Sequence, residues 1–174
     1  MSKKIELKKY IRSIPDFPKP GILFRDITTL LKDKQAFKCT VKALANKYKK
    51  KRIDKVVAVE ARGFILGGVL AHKLGAGFVP VRKAGKLPWK TKSVTYALEY
   101  GTDTLEMHHD AINSGERILI VDDLLATGGT VKAVVNLVKQ LQGKIVGIAF
   151  LIELTDLKGR DKLKGYQVYS LIKY

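Results

Sequence analysis

The chain has 174 residues, 46% hydrophobic and 28% charged, and its 33 Lys and Arg against 16 Asp and Glu leave a formal net charge of +17. A chain of this length is expected to form one domain, residues 1–174, able to bury roughly 70% of its unfolded surface, and no self-similar period divides it into repeats. No apolar run approaches the about 18 residues that a bilayer crossing needs, and the positive surplus favours anionic ligands.

Met1 to Tyr10 is rich in Lys but lacks the apolar core of a signal peptide, which predicts a cytoplasmic setting. Ile5, Leu7 and Ile11 predict a short amphipathic helix over the first twelve residues. Pro15, Pro18, Pro20 and Gly21 then mark a non-helical segment. Phe37, Val41, Leu44 and Tyr48 recur at helical spacing and predict a helix within 36–51. Cys39 on that helix has no partner for a disulfide or a metal site, in keeping with a reducing compartment. Lys47, Lys49, Lys50, Lys51, Arg52 and Lys55 read as a solvated helix end, where cations complement the helix dipole.

Val56 to Val59 is a strand leading through Gly63 into a helix, Phe64 to Leu74, stopped by Gly75. Gly77 to Val81 is the next strand. It opens a basic loop, Arg82, Lys83, Lys86, Lys90 and Lys92, with no acidic residue and with Gly85 and Pro88 as breaks. Ser93 to Met107 alternates like a hairpin turning at Gly101-Thr102. Ile118 to Val121 is a buried strand, Thr130 to Leu141 a valine-rich helix with Gly143 as its stop, and Ile145 to Ile152 and Gln167 to Ile172 are further strands. Short apolar strands alternating with helices predict an α/β fold with a mostly parallel sheet flanked by helices. Ligands of such folds sit beyond the carboxyl ends of the strands, so the loops near Glu60, Arg82 and Asp122 should converge. His108 and His109 are adjacent on a strand, face opposite sides and cannot chelate one metal ion together.

The densest chemical signal is Ile118 to Thr130, ILIVDDLLATGGT. Ala126, Thr127, Gly128, Gly129 and Thr130 open a helix with small residues and two hydroxyls, a composition that lets backbone N–H groups approach a phosphate monoester. Asp122 and Asp123 would repel that phosphate, but they can accept hydrogen bonds from the two hydroxyls of a ribose. A sugar phosphate fits the whole segment.

This string resembles the ribose-phosphate pyrophosphate signature of the type I phosphoribosyltransferases. IPDFPKPGILFRDIT from Ile14, VEARGFILG from Val59, and VRKAGKLP through YALEYG from Val81 to Gly101 narrow the resemblance to the members that use adenine, over nearly the whole chain. The resemblance implies a single phosphoribosyltransferase domain with an N-terminal hood, residues 1–30, and a mobile loop and hairpin, residues 82–108. Ala126 to Thr130 would hold the 5-phosphate, Asp122 and Asp123 the ribose hydroxyls, and Arg62, Lys83 and Lys86 the pyrophosphate. Backbone groups around Leu23, Phe24 and Arg25 would read adenine, with Glu99 and Arg62 as catalytic residues and a non-proline cis peptide at Glu60-Ala61. The implied partners are adenine, phosphoribosyl pyrophosphate, AMP and pyrophosphate, with magnesium carried by substrate oxygens and water rather than by protein ligands. A homodimer in purine salvage is also implied. Where bacterial members of the family it resembles often carry an acidic residue, this sequence has Ala97.

Two alternatives compete with this reading. One is a related transferase acting on guanine, hypoxanthine or a pyrimidine precursor, which the Pro15 to Asp26 segment opposes. The other is a nucleic-acid-binding regulator that keeps the sugar-phosphate site as a sensor. It is disfavoured because 26 of the 33 basic residues are Lys and only 7 are Arg, without aromatic interleaving.

Overall fold

The computed structural model describes residues 5–97 and 101–174. Its contacts divide the chain into a first unit ending at Ala43 and a second running from Leu44 to Tyr174.

In the first unit a 3-10 turn, Leu7–Tyr10, precedes strand β1, Arg12–Ile14, which pairs antiparallel with β2, Phe24–Asp26. The helix expected over the first twelve residues is therefore absent from residues 5–12. Three apolar residues without a sustained 3.6-residue stripe cannot bury a helix face, so only the single 3-10 turn forms, with Lys9 N–H bonded to the Glu6 carbonyl and Ile11 N–H to that of Lys8, before the chain enters β1. The connection carries a cis Phe17-Pro18 bond, and the Phe17 ring meets Phe24 edge-on at 5.1 Å. Asp26 ends β2 and accepts hydrogen bonds from the Thr28 backbone N–H at 2.8 Å and from its hydroxyl at 2.9 Å, at the start of helix α1, Thr28–Lys32. Asp33 then starts helix α2, Lys34–Tyr48, by accepting from the Gln35 and Ala36 N–H groups at 3.0 and 2.8 Å.

The second unit contains β3 (Lys55–Val59), α3 (Arg62–Leu74), β4 (Gly77–Lys83), β5 (Thr91–Ala97), β6 (Thr102–His108), β7 (Arg117–Leu125), α4 (Gly129–Gln140), β8 (Lys144–Glu153) and β9 (Val168–Lys173). They build a seven-stranded sheet in the order β5-β6-β4-β3-β7-β8-β9. β3 pairs parallel with β4 and β7, and β8 continues the parallel set to β9. β6 and β5 extend the other edge antiparallel. The centre is apolar throughout: Val57 lies opposite Val79 on one side and Ile120 on the other, and all three are buried. α4 contributes Val131, Val134, Val135 and Val138 to the same core. α3 ends as its sequence suggests, at Gly75 with φ 65° and its N–H turned back to the Ala71 and His72 carbonyls.

Several boundaries differ from the sequence reading. β4 runs through Lys83, so Arg82 and Lys83, expected in the basic loop, pair in the sheet opposite Glu106 and Leu105. β7 does not stop at Val121 but pairs with β8 through Leu125 opposite Glu153, because the backbone ladder continues regardless of which side chains it carries. Asp122 and Asp123 thus belong to a strand rather than to an exposed loop. The hairpin has Ala97 opposite Thr102, so Gly101, with φ 88°, precedes β6 and Thr102 is already in the strand. At the base of this hairpin a His108 ring nitrogen lies 2.6 Å from the Pro88 carbonyl oxygen, and the His109 ring sits 4.7 Å from that of Trp89. Among the described residues no helix is long and apolar enough to cross a membrane.

Helix α3 lies close against the sheet at one face and is open at the next residue. A Cβ placed on Gly67 would meet the Ala58 Cβ on β3 at 2.5 Å, whereas one on Gly68 meets nothing within 4 Å. Gly67→Ala should therefore destabilise the protein by about 1–3 kcal/mol, as overpacking does, despite alanine's better helix propensity. Gly68→Ala should instead stabilise it by about 0.5–1 kcal/mol. Urea unfolding of the two variants checks the opposite signs.

Candidate active site

The parallel register of β4, β3 and β7 brings the ends of three strands to one level, with Val59 opposite Val81 and Ala58 opposite Val121. The chain leaves β3 through Glu60 and Ala61, joined by a cis peptide bond, and enters α3 at Arg62. Arg62 Nε lies 2.9 Å from Asp123 Oδ2 on β7. Gly63 makes this approach feasible, since a Cβ there would stand 2.8 Å from Asp122 Oδ1. Asp122 Oδ1 accepts the Asp123 backbone N–H at 2.8 Å. Asp123 is only 6% exposed, so its charge rests on Arg62 rather than on water. Burial, reinforced by the neighbouring Asp123 carboxylate, pushes the Asp122 carboxyl well above the ordinary aspartate range. Burial also raises Asp123, against the pull of Arg62.

Glu60, absent from the set of ligand-binding candidates, is a hub of the basic loop. Its carboxylate accepts the Lys83 backbone N–H at 2.7 Å and Arg82 Nε at 3.0 Å, and it pairs with Lys86 Nζ at 3.2 Å. Burial works to raise its pKa, but the hydrogen bonds from Lys83, Arg82 and Lys86 outweigh it and leave the carboxyl below its ordinary value. Lys83 Nζ is held by Asp103 of β6 at 3.1 Å, which raises its pKa. Every cation that the sequence assigns to pyrophosphate is thus paired with a carboxylate, Arg62 with Asp123, Lys83 with Asp103 and Lys86 with Glu60. The heads remain within reach of solvent, Lys83 at 58% and Lys86 at 49% side-chain exposure.

Beyond Leu125 the segment 126–130 turns into α4 around a concavity of about 80 Å³. Gly128 precedes the helix with φ 78° and no side-chain capping bond, and Gly128, Gly129, Thr130 and Val131 at the start of α4 line this concavity, a placement suited to a bound anion. Thr130 Oγ1 lies 3.4 Å from the Tyr96 hydroxyl on β5, tying the helix start to the hairpin.

The structure therefore brings Arg62, Lys83, Lys86, Asp122, Asp123 and the loop 126–130 to the carboxyl ends of neighbouring strands in the second unit. Leu23, Phe24 and Arg25 lie in the first unit, Leu23 46% exposed just before β2 and the other two within it. There Arg25 Nη1 donates to the Ser13 hydroxyl oxygen. Glu99 lies outside the described residues. The Glu60 and Asp103 pairings carry no local sequence signal beyond the presence of an acid at a strand end and another across a hairpin.

Residues 28–173 match the phosphoribosyl transferase domain, and the chain belongs to this family. It is 59% identical over 169 residues to the adenine phosphoribosyltransferase of Halothermothrix orenii, covering 97% of this chain and 99% of that one. The crystal structure of adenine phosphoribosyltransferase from Thermoanaerobacter pseudethanolicus is 56% identical and superposes with a TM-score of 0.95 over 97% of this chain and 98% of that one. The Saccharomyces cerevisiae enzyme, complexed with adenine and an imino-altritol bisphosphate, is 42% identical with a TM-score of 0.90, over 95% of this chain and 96% of that one.

The raised pKa of Asp122 means that its charged form is disfavoured in the folded protein, so the folded state loses stability as pH rises through the unfolded toward the folded pKa. Asp122→Asn, which keeps an acceptor for the Asp123 N–H, should melt at the same or a higher temperature than wild type at neutral pH. The difference should shrink in acid as the wild-type carboxyl is protonated. Calorimetry across pH checks this.

Proposed function

We propose that this chain transfers the 5-phosphoribosyl group of phosphoribosyl pyrophosphate to adenine, giving AMP and pyrophosphate in purine salvage. The observation that carries the reading is the convergence, at one edge of a parallel sheet, of an anion-ready helix start, two carboxylates and a set of cations. Its closeness to adenine phosphoribosyltransferases, one of them solved with adenine bound, selects the base.

In this reading Ala126, Thr127, Gly128, Gly129 and Thr130 hold the 5-phosphate through backbone N–H groups and hydroxyls. Asp122 and Asp123 accept from the ribose hydroxyls, and their negative charge favours the oxocarbenium-like sugar formed as the bond to pyrophosphate breaks. Arg62, Lys83 and Lys86 exchange their carboxylate partners for oxygens of the pyrophosphate, the same acceptor chemistry. Backbone groups of Leu23, Phe24 and Arg25 read the adenine edge. Glu99 takes up the proton that the purine loses when its nitrogen bonds to the ribose carbon. Asp122 and Asp123 are the hard oxygen groups beside which a magnesium ion, carried by the substrate and water rather than by protein ligands, would be accommodated. When bound, that ion offsets leaving-group charge. Homodimerisation rests on the family resemblance, with a light-scattering mass as its check.

Labelled adenine, hypoxanthine and guanine offered in parallel with phosphoribosyl pyrophosphate test the assignment. AMP formation from adenine should dominate and should stop when magnesium is chelated. Equal turnover of hypoxanthine would overturn the choice of base.

Glu99→Gln keeps the side chain's shape but cannot carry the proton, so single-turnover AMP formation should slow by at least about tenfold, within the range typical of a lost general acid or base. Affinity for phosphoribosyl pyrophosphate should hold. Wild-type single-turnover chemistry in this variant would reduce Glu99 to a residue that only fastens the loop.

A further inference from the structure

The 3-10 helix Gly159–Leu163 packs against the phosphate loop. It meets the loop backbone to backbone. A Cβ on Gly159 would stand 2.0 Å from the Ala126 carbonyl oxygen and 3.0 Å from the Gly128 nitrogen, and one on Gly128 would stand 2.4 Å from the Gly159 carbonyl oxygen. No L side chain fits at either position without moving one segment. The two segments are 31 residues apart in sequence from Gly128 to Gly159, so their contact is a product of the fold.

Gly159 is itself held from two sides. Leu163, at the other end of the 3-10 helix, is buried in the central core. The next residue, Arg160, reaches back to β8 and β9. Its Nε donates to Glu153 Oε1 at 2.9 Å, its Nη2 to Glu153 Oε2, and its Nη1 to the Val168 carbonyl oxygen at 3.0 Å. Glu153 is 5% exposed and stands opposite Leu125, the last residue of β7 before the loop. The Leu154 N–H donates to the Leu125 carbonyl oxygen at 2.9 Å, which ties the two strand ends together. The bidentate pair therefore fixes the 3-10 helix to the end of β8, which pairs with the end of β7 from which the phosphate loop departs.

We propose that Gly159, anchored by the Glu153–Arg160 ion pair, is a positioning element for the phosphate loop, setting the depth of Ala126 and Gly128 and so the direction of the N–H groups that meet the 5-phosphate. The proposal rests on the reading of 126–130 as the 5-phosphate site. None of the three residues is assigned contact with substrate. They act through the loop, whose N–H groups lose force steeply with misalignment. Displacements of about 1 Å at such a site can cost about a hundredfold.

The test is binding of AMP and of adenosine, which lacks the phosphate, to wild type, Gly159→Ala and Arg160→Lys by isothermal titration, with thermal melts to confirm folding. Wild type should prefer AMP strongly. Gly159→Ala should lose about tenfold or more in AMP affinity while adenosine affinity is kept, and KM for phosphoribosyl pyrophosphate should rise more than kcat falls. Arg160→Lys keeps the charge but not the fork and should show a smaller loss of the same kind. Folded variants that bind AMP as wild type does would overturn the proposal, and so would a parallel loss of AMP and adenosine affinity, which marks general damage. If Gly159→Ala does not accumulate as folded protein, Arg160→Lys decides by the same two outcomes. A wild-type protein with no preference for AMP over adenosine would overturn the phosphate-loop reading itself, which is a different failure.

Discussion

The in-register parallel pairing of β3 with β4 on one side and β7 on the other is the constraint from which the site follows. Val57, Val79 and Ile120 are buried side by side, and a slip of the ladder by one residue would move each to the opposite face of the sheet. Because the strands run the same way, Glu60, Arg82 and Asp122 emerge at one level, although 62 residues separate the first from the last. An antiparallel arrangement of the same three strands would scatter these groups over both ends of the sheet.

Crowding ionisable groups at one edge creates an electrostatic problem that the chain resolves by pairing. The molecule carries a surplus of 17 positive charges, yet its site contains acids in close contact with the cations there. Asp123 and Glu60 are nearly withdrawn from water, and a buried carboxylate without a partner would cost several kcal/mol. Arg62 and the basic loop supply those partners. The ion pairs that hold the site together therefore use the same side chains that a polyphosphate would address, so ligand binding and internal pairing compete for one set of cations. Asp122 and Asp123 carry the residual strain of this arrangement in their raised pKa values.

Close backbone approach is the second device. At Gly128 and Gly159 the two segments touch where a single Cβ on either would collide. Hydrogen-bond donors that must face a small anion gain from such contact, because a loop braced by backbone has fewer ways to relax than one braced by flexible side chains.

The sequence alone determined what is contiguous. The apolar runs marked the central strands, the valine spacing marked α4, Gly75 and Gly143 marked helix stops, and 122–130 announced a sugar-phosphate segment because all of its chemistry lies within nine neighbouring residues. It misjudged residues 5–12, where only one 3-10 turn forms before Arg12 enters the pairing with β2. It ended β7 too early, because ladder hydrogen bonds extend through polar residues that an apolar pattern cannot register. The tertiary structure alone decided the partners, Glu60 with Lys83 and Lys86, Lys83 with Asp103, Arg62 with Asp123, and Gly159 with Ala126. Periodicity and turn chemistry describe a residue's own neighbourhood. Contacts across 20 to 60 residues depend on which strands pair and in what register, and that is fixed only when the core closes.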